Sequence, residues 1–256
     1  MIVSRQNQKI KDIRRLQRCK GDRSLLEGDH LIVEAIGSGM TLEYVLITPE
    51  FSQSLEGSAL VQSVSGVDVF EVDSNILESI ADADSPRGVL AVASLPRLGV
   101  EAVPNRNEGL FLYVDGIQNP GNLGALARSA EAFSARAIVL SQSCVHPNHP
   151  RALRASAGSL LRIPVAIDVE PDDLSVRLDR LGTNWLALAP EGGISIDAVK
   201  EARSYVLAVG AEGRGLSEKV ERFAHQRVTI PIEPPVESLN ATVATSIALY
   251  ELRKVL

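Results

Sequence analysis

Three separated stretches of this 256-residue chain carry polar side chains that could hold a ligand and act on it. The first contains Asn122 and Arg128, the second contains Glu212, and the third contains Ser238 and Asn240. In each, an apolar run typical of a buried strand comes first, and turn residues and a helical pattern follow. Open α/β sheets bind ligands at the carboxyl ends of their strands, so these side chains are candidates for one site. Taken alone, the first stretch is equally typical of a helix capped at Asn122, the second is more typical of a strained turn, and the third could be a helix capped at Ser238.

The glycine-rich second stretch, residues 210–215, indicates a backbone that turns tightly and approaches a ligand closely. Its spacing is G-x-x-G-x-G, whereas dinucleotide-binding folds use G-x-G-x-x-G after their first strand, and the chain has no P-loop motif. A cofactor with a pyrophosphate group is therefore disfavoured. Glu212 brings a negative charge to this loop, which suits a cationic cofactor. The structural alternative is a strained turn whose carboxylate faces a helix dipole.

The histidines and cysteines indicate neither a metal site nor a catalytic triad. Cys144, His146 and His149 lie close together, but their spacing matches no zinc signature and no fourth ligand lies nearby in sequence. His30 and His225 are isolated, so a Ser–His–acid triad has no support. We therefore expect an enzyme or binding protein without a metal.

Positive charge is concentrated at the amino terminus. Residues 1–23 contain eight Lys and Arg residues against two Asp, although the whole chain has a net charge of −6. Such an asymmetry is typical of a segment that contacts phosphate, with Arg14, Arg15 and Arg18 as candidates, although a solvated face of an amphipathic helix would look the same. Arg154 belongs to a second basic cluster that could contact RNA phosphates without reading bases, or could be a solvated face.

The composition predicts a cytoplasmic protein with an aliphatic core. Hydrophobic residues make up 45% of the chain but aromatic residues only 4%. Two cysteines far apart in sequence suggest no disulfide framework. No apolar run has the length of a membrane span, and the first residues do not resemble a signal peptide.

Strand and helix patterns alternate in two parts of the chain, which predicts two α/β domains. Residues 1–96 form a small domain, 97–109 a linker rich in proline, glycine and charge, and 110–256 a larger domain. Regular alternation in the larger domain indicates a mainly parallel sheet covered by helices on both faces. The predicted strands are residues 24–28, 42–47, 67–72, 88–93, 110–114, 137–140, 165–167, 185–188, 205–209 and 228–230. Residues 238–256 are the clearest helix.

The three polar stretches, taken together and in this order, resemble the three sequence motifs of the SpoU/TrmH-type RNA ribose methyltransferases of the SPOUT superfamily. The matching residues are 119–124 with Arg128, 210–217 and 230–240. Residues 154–158 resemble a further segment of that family. Residues 24–35 resemble the family's amino-terminal substrate-binding domain, which is similar to ribosomal protein L30e.

This resemblance implies a fold and an activity. The larger domain would carry a trefoil knot at its carboxyl end, bind S-adenosylmethionine in the knot loops and work as a homodimer. The reaction would be methyl transfer to a ribose 2′-hydroxyl of RNA, with ribosomal RNA a better candidate than transfer RNA because of the separate amino-terminal domain. By position, the catalytic residues would be Asn122, Arg128, Glu212, Ser238 and Asn240. The cofactor-binding residues would be Val209, Gly210, Ala211, Ile230, Pro231 and Leu239.

Other functions remain open at this stage. A transfer-RNA ribose methyltransferase is the nearest alternative, and a related enzyme that methylates a base is another. A non-catalytic RNA-binding protein on the same fold would not need the five polar residues. A nicotinamide-dependent enzyme is disfavoured by the glycine spacing.

Overall fold

The computed structural model describes residues 1–17, 21–105, 108–178 and 182–256, which form two structural units. The first unit comprises Met1–Pro96 and Asn148–Arg162, and the second comprises Arg97–Pro147 and Ile163–Leu256. The helices are α1 Gln8–Leu16, α2 Asp29–Gly37, α3 Pro49–Ser52, α4 Leu55–Ser63, α5 Ser74–Glu78, α6 Pro120–Ala132, α7 Pro150–Ala155, α8 Ser159–Arg162, α9 Pro171–Arg177, α10 Glu218–Glu221 and α11 Ala241–Leu252. The strands are β1 Arg23–Glu27, β2 Thr41–Ile47, β3 Asp68–Glu71, β4 Val89–Ser94, β5 Gly109–Asp115, β6 Ala135–Leu140, β7 Val165–Ala166, β8 Asn184–Leu188, β9 Ile194–Ser195, β10 Ser204–Gly210 and β11 Gln226–Thr229.

The first unit is built on a four-stranded sheet in the order β1-β4-β2-β3. β4 runs antiparallel to β1 and β2, while β2 and β3 are parallel. Helix α1 packs its apolar stripe on this sheet, with Ile10 and Ile13 fully buried, as its amphipathic pattern predicts. Burying these side chains makes α1 part of the core, so the basic amino-terminal segment is not a free arm.

The segment Asn148–Arg162 joins the first unit although it lies far along the chain. The Asn148 amide nitrogen donates to the carbonyl oxygens of Leu95 at 2.7 Å and Gly21 at 2.9 Å. The buried Ser24 hydroxyl donates to the Asn148 carbonyl. Buried polar groups are retained where they are paired, and these bonds fix the start of the inserted segment beside β1.

The second unit contains a parallel sheet of order β7-β6-β5-β10-β8-β11-β9. This confirms the expected α/β class with a mainly parallel sheet. The central strands are continuous aliphatic runs, and Phe111, Leu112 and Val206 are fully buried, as a sheet covered on both faces requires. Because β5, β10, β8 and β11 are neighbours, their carboxyl ends lie along one edge.

Several local predictions need correction. Asn119, not Asn122, is the N-cap of α6: its side chain accepts from the Gly121 and Asn122 amides at 2.8 and 3.3 Å. Asn240, not Ser238, caps the last helix, which begins at Ala241. Asn122 already lies within α6, and Asn240 is the residue whose side chain accepts from the Thr242 and Val243 amides, so each helix is capped by the asparagine directly before it.

The proline- and glycine-rich segment after Pro96 packs on the second unit over part of its length. Leu98 forms a parallel bridge to Ala166, and the Ile167 amide donates to the Leu98 carbonyl at 3.0 Å. Val103 is fully buried. These contacts extend the sheet edge at β7. Among the described residues, no helix combines the length and apolar character that crossing a membrane requires.

Candidate active site

The loop from β10 to α10 folds back on itself at its glycines. A Cβ atom at Gly210 would lie 2.1 Å from the carbonyl carbon of Gly215, so the two backbones meet where no side chain fits. The Gly215 amide donates to the Ala211 carbonyl at 2.9 Å, and Gly213 has a φ of 81° that favours glycine. The glycine spacing therefore reflects a tight loop with Glu212 at its tip.

Asp115 fixes the far end of this loop. It ends β5 and is nearly buried, and its Oδ2 accepts from the Ser217 amide at 2.8 Å. The hydrogen bond ties the carboxyl end of β5 to the start of α10. Sequence reasoning missed Asp115; an acidic residue ending an otherwise aliphatic strand is the signal that could have indicated it.

Asn122 reaches Glu212 from the first turn of α6. Because Asn119 performs the capping, the Asn122 side chain is free, and its Nδ2 donates to Glu212 Oε1 at 3.1 Å. Two residues that lie 90 positions apart in sequence thus meet at the edge of the sheet.

Asn240 approaches the same carboxylate from the third stretch. Its Oδ1 accepts from the Thr242 and Val243 amides at 3.0 and 3.3 Å, while its Nδ2 donates to Glu212 Oε1. One amide therefore caps α11 and joins the site. Asn122, Glu212 and Asn240 form a cluster, the Glu212 junction, in which a single carboxylate oxygen connects all three predicted stretches.

A first cleft of about 710 Å³ opens beside this junction. Its walls come from the ends of β8, β10 and β11 and from the start of α11, and they are largely aliphatic or backbone. The lining residues are Leu188, Ala189, Pro190, Val209, Gly210, Ala211, Glu212, Gly213, Arg214, Gly215, Ile230, Ile232, Ser238, Leu239, Asn240, Ala241 and Ala244. The volume lies within the range of roughly 300–1,000 Å³ that small-molecule sites occupy.

A second cleft, also of about 710 Å³, lies on the α6 side of the same loop. It shares the wall formed by Ala211, Glu212, Arg214 and Gly215 with the first cleft. Its remaining lining is mostly polar: Asp115, Gly116, Ile117, Gln118, Asn119, Asn122, Ser143, Leu216 and Ser217. The two clefts therefore lie on either side of the Glu212 junction, and the second carries more amide and hydroxyl side chains than the first.

Two family models match the chain. The model described as the SpoU rRNA methylase family matches residues 109–250, and the MRM3-like substrate binding domain matches residues 7–91. The chain belongs to the SpoU rRNA methylase family. The resemblance read from the three stretches is thereby confirmed, and the first match covers every residue of the Glu212 junction.

Curated relatives and solved structures agree with this assignment. An uncharacterised tRNA/rRNA methyltransferase of Synechocystis is 32% identical over 99% of this chain and 93% of its own length. The 23S rRNA (guanosine(2553)-2′-O)-methyltransferase of Bacillus subtilis is 28% identical over 98% of each chain. An AdoMet-bound rRNA methyltransferase from Sinorhizobium meliloti is 26% identical with a TM-score of 0.83, covering 99% of this chain and 97% of that one. An RNA 2′-O ribose methyltransferase gives 27% identity and the same TM-score of 0.83, covering 100% and 99%.

The predicted activity and cofactor are confirmed by these findings. The chain is an RNA 2′-O-ribose methyltransferase that uses S-adenosylmethionine. The first cleft fits that cofactor, because its aliphatic side chains suit the faces of an adenine ring and the methylene groups of a methionine chain. Glu212 supplies negative charge at its rim.

Five of the six predicted cofactor residues line the first cleft. Val209, Gly210, Ala211, Ile230 and Leu239 do so, whereas Pro231 does not, although its neighbour Ile232 does. Sequence reasoning missed residues 188–190 at the end of β8, because nothing local shows that β8 lies between β10 and β11 in the sheet. Ser238 also lines this cleft, at its exposed rim.

Arg128 lies elsewhere on α6. It is exposed, and among the described residues it lines neither cleft. Six residues along a helix correspond to a rise of about 9 Å and a rotation of about 240°, so Arg128 and Asn122 face different directions. The catalytic role expected of Arg128 therefore concerns a different face of α6 from the one that carries Asn122.

The predicted RNA-binding residues divide into two environments. Arg14 and Arg15 are exposed on α1, and Arg18 lies outside the described residues. Arg154 is instead engaged within the first unit, where its Nη1 donates to Glu27 at 2.9 Å and its Nη2 donates to Asp82 at 3.0 Å. An RNA phosphate would have to compete with these two carboxylates, and the contact stays a prediction.

The cysteine and histidines of the middle segment have structural partners. The buried Cys144 thiol donates to the Val114 carbonyl at 3.2 Å, and burial raises its pKa. His149 Nδ1 accepts from the Arg151 amide at 3.2 Å, and burial lowers the His149 pKa, which favours the neutral, accepting form. The described residues hold no group of three or more His, Cys, Asp or Glu side chains suited to a metal ion.

Proposed function

We propose that this methyltransferase acts on ribosomal RNA, with the cofactor in the first cleft and the acceptor ribose at the Glu212 junction. The observation that carries the assignment of the site is the convergence of Asn122 and Asn240 on one oxygen of Glu212. The Bacillus subtilis relative, which is a 23S rRNA methyltransferase matched along 98% of its length, supports ribosomal RNA as the substrate.

Transfer of the methyl group needs the acceptor oxygen in line with the bond that breaks. S-adenosylmethionine supplies a methyl group on a positively charged sulfur when it is bound. The chain contributes positioning: the residue 210–215 loop and Leu239 hold one reactant, while Asn122 and Ser238 orient the ribose. Such alignment can lower a barrier by roughly 7–11 kcal/mol at best.

Arg128 has the charge that the developing alkoxide needs. A guanidinium is protonated at neutral pH and is therefore a poor base, so we assign it to orienting a phosphate and stabilising the negative charge on the ribose oxygen while water takes the hydroxyl proton. Asn240 braces the loop, and Glu212 holds the two asparagine amides in place.

We further propose a homodimer in which Arg128 serves the cleft of the second copy. Ser129, next to Arg128, contacts Ser246 of α11 at 2.6 Å between hydroxyl oxygens. On α11, Val243 is 49% exposed and Tyr250 is 40% exposed, so apolar surface lies on the helix beside Arg128. A second copy covering this surface would bring an arginine to each site.

The finer features of the fold are also proposals. The carboxyl end of the second unit would form the trefoil knot of the family. Two observations support this: α11 packs on α6, and the Ala202 amide, in the segment before β10, donates to the Val255 carbonyl at 3.1 Å. The first unit would be an L30e-like RNA-binding domain, which the match to a substrate-binding domain supports. The cytoplasmic location also remains a prediction.

The test uses RNA extracted from cells that lack the gene. Purified protein and labelled cofactor should methylate this RNA, and mapping of 2′-O-methyl groups should place the new mark in ribosomal RNA. Arg128→Ala should lower methyl transfer by orders of magnitude while calorimetry shows unchanged cofactor binding, and Arg128→Lys should also be poor because an ammonium lacks the planar fork. A mark found only in transfer RNA would overturn the substrate assignment, and near-normal turnover of Arg128→Ala would remove Arg128 from the mechanism.

A further inference from the structure

The second cleft differs from the first in the chemistry of its walls. Gln118, Asn119, Ser143 and Ser217 give it amide and hydroxyl groups, whereas the first cleft is walled mainly by aliphatic side chains. A ribose–phosphate backbone is a polar ligand that needs hydrogen-bonding partners, which these amide and hydroxyl groups supply. The side chains of the second cleft therefore suit a ribose–phosphate ligand.

Both carboxylates of the second cleft are already engaged. Asp115 accepts the Ser217 amide, and Glu212 accepts the amides of Asn122 and Asn240. Among the described residues, neither acid pairs with Arg214, which lines the cleft beside them and is exposed. Within the described part of the chain, no hydrogen bond, ion pair or ring contact holds the Arg214 guanidinium.

Four other arginines of the second unit are engaged. Arg203, Arg222 and Arg227 pair with Glu108, Glu218 and Glu221. Arg177 donates to the Val103 carbonyl at 2.9 Å. An arginine without such a partner, on the wall of a polar cleft, has all five guanidinium donors available for an external anion.

We propose that Arg214 binds a backbone phosphate of the RNA next to the acceptor ribose. This inference rests on the proposed function and adds a residue that positions the substrate. A planar guanidinium binds a phosphate through two parallel hydrogen bonds, which fixes direction as well as distance. Arg214 thereby sets the register of the RNA strand, and the Glu212 junction, two residues away, receives the ribose.

A carboxylate of the cofactor is the other anion that Arg214 could meet, because this residue also lines the first cleft. The hydrogen-bonding side chains that line the second cleft beside Arg214, such as Gln118 and Ser143, favour the phosphate. The two ligands predict different measurements: loss of a phosphate contact changes RNA binding and its salt dependence, whereas loss of a cofactor contact changes the cofactor dissociation constant.

The experiment compares Arg214→Ala, Arg214→Lys and the control Arg222→Ala in the full-length protein. Arg222 lies on the same unit, is exposed, pairs with Glu218 at 3.5 Å and lines neither cleft, so its substitution removes an equal charge away from the site. RNA from cells lacking the gene serves as substrate, and activity of the unsubstituted protein on this RNA establishes the proposed function independently.

Arg214→Ala should lower kcat/KM for RNA at least tenfold and reduce the slope of log Kd against log salt by about 0.7–0.9. Arg214→Lys should restore the slope but only part of kcat/KM, because it keeps the charge and loses the fork. The cofactor dissociation constant of Arg214→Ala, measured by calorimetry, should stay within twofold of that of the unsubstituted protein. The control Arg222→Ala should stay within twofold of the unsubstituted protein in every assay. A tenfold weaker cofactor affinity in Arg214→Ala, or an Arg214→Ala protein that behaves as Arg222→Ala does, would overturn the proposal.

Discussion

Replacing Arg154 by alanine should destabilise the first unit because it leaves a buried carboxylate without its positively charged partner. The Glu27 side chain is only 5% exposed, and its ion pair with Arg154 is 2.9 Å long. Removing one partner of a buried pair typically costs about 3–5 kcal/mol. Here Glu27 keeps the amides of Asp82 and Ala83 at 3.1 Å, and Arg154 is 37% exposed. We therefore expect a smaller loss of about 2 kcal/mol.

Thermal unfolding followed by circular dichroism measures this loss. A change of about 2 kcal/mol corresponds to a fall in Tm of about 4–8 °C for a chain of this size. Arg87→Ala is the matched control, because Arg87 pairs with Asp29 at 3.3 Å while 70% exposed and should contribute under ~0.5 kcal/mol. Adding Glu27→Gln to Arg154→Ala should restore part of the loss, since a neutral amide needs no cation.

The pH dependence gives a second readout of the same cluster. Burial raises the pKa of Asp82, but hydrogen bonds from Arg151 and Arg154 outweigh it and hold that pKa below its ordinary value of 3.8. A carboxyl group whose pKa is lower in the folded protein than in the unfolded chain stabilises the fold at pH values above the unfolded-state pKa. This stabilisation is lost as the pH falls through the folded-state pKa. Arg154→Ala should therefore flatten the loss of stability below about pH 4. An Arg154→Ala protein that melts like the unsubstituted one, with weakened RNA binding instead, would refute this reasoning and support the RNA contact.

Two further predictions concern the cofactor loop and RNA affinity. Gly210→Ala should weaken cofactor binding at least tenfold in calorimetry, because the added Cβ would lie 2.1 Å from the Gly215 carbonyl carbon and displace the loop. An unchanged affinity would show that the loop does not bind the cofactor. Replacing both Arg14 and Arg15 by glutamine should reduce the slope of log Kd against log salt for RNA by about 1.5, measured by filter binding, and an unchanged slope would exclude these residues from the interface. Substitution is preferable to deleting residues 1–23, because the deletion would remove the buried Ile13 from the core.

The sequence predicted the strands of the second unit well because their composition leaves few choices. Residues 110–114 form a continuous apolar run, and β5 extends it by one residue at each end. Glycine, proline and asparagine after such runs then indicated the loops. The predicted parallel sheet followed from alternation alone, and the resemblance of three loops to known motifs supplied the activity.

The order of the strands in the sheet could not be predicted from the sequence. The roles of residues that depend on this order could not be predicted either. Leu188 lines the first cleft because β8 lies between β10 and β11, a pairing of segments far apart in the chain. Arg154 looked like a solvated basic residue because Glu27 and Asp82 lie 127 and 72 positions away. Long-range pairing of this kind leaves no local periodicity.

The helix caps show why polar residues at strand–helix junctions were interpreted only in part. Asn119 and Asn122 have the same chemistry, but only Asn119 has the extended backbone of a cap, and this frees the Asn122 amide for Glu212. In the third stretch no such division exists, because Asn240 caps α11 through its oxygen and holds Glu212 through its nitrogen. A capping side chain normally contributes about 1 kcal/mol to a helix.

This double use of Asn240 links the start of α11 to the geometry of the site. The oxygen bonds orient the amide plane, and the orientation in turn directs Nδ2 at Glu212. Aspartate at this position would preserve the cap but place a second carboxylate oxygen where the donor stands, and two acceptors with like charge repel each other. The requirement for asparagine therefore comes from the site, while the requirement for a capping residue comes from the helix. A side chain that satisfies both conditions couples folding of the carboxyl-terminal helix to assembly of the Glu212 junction.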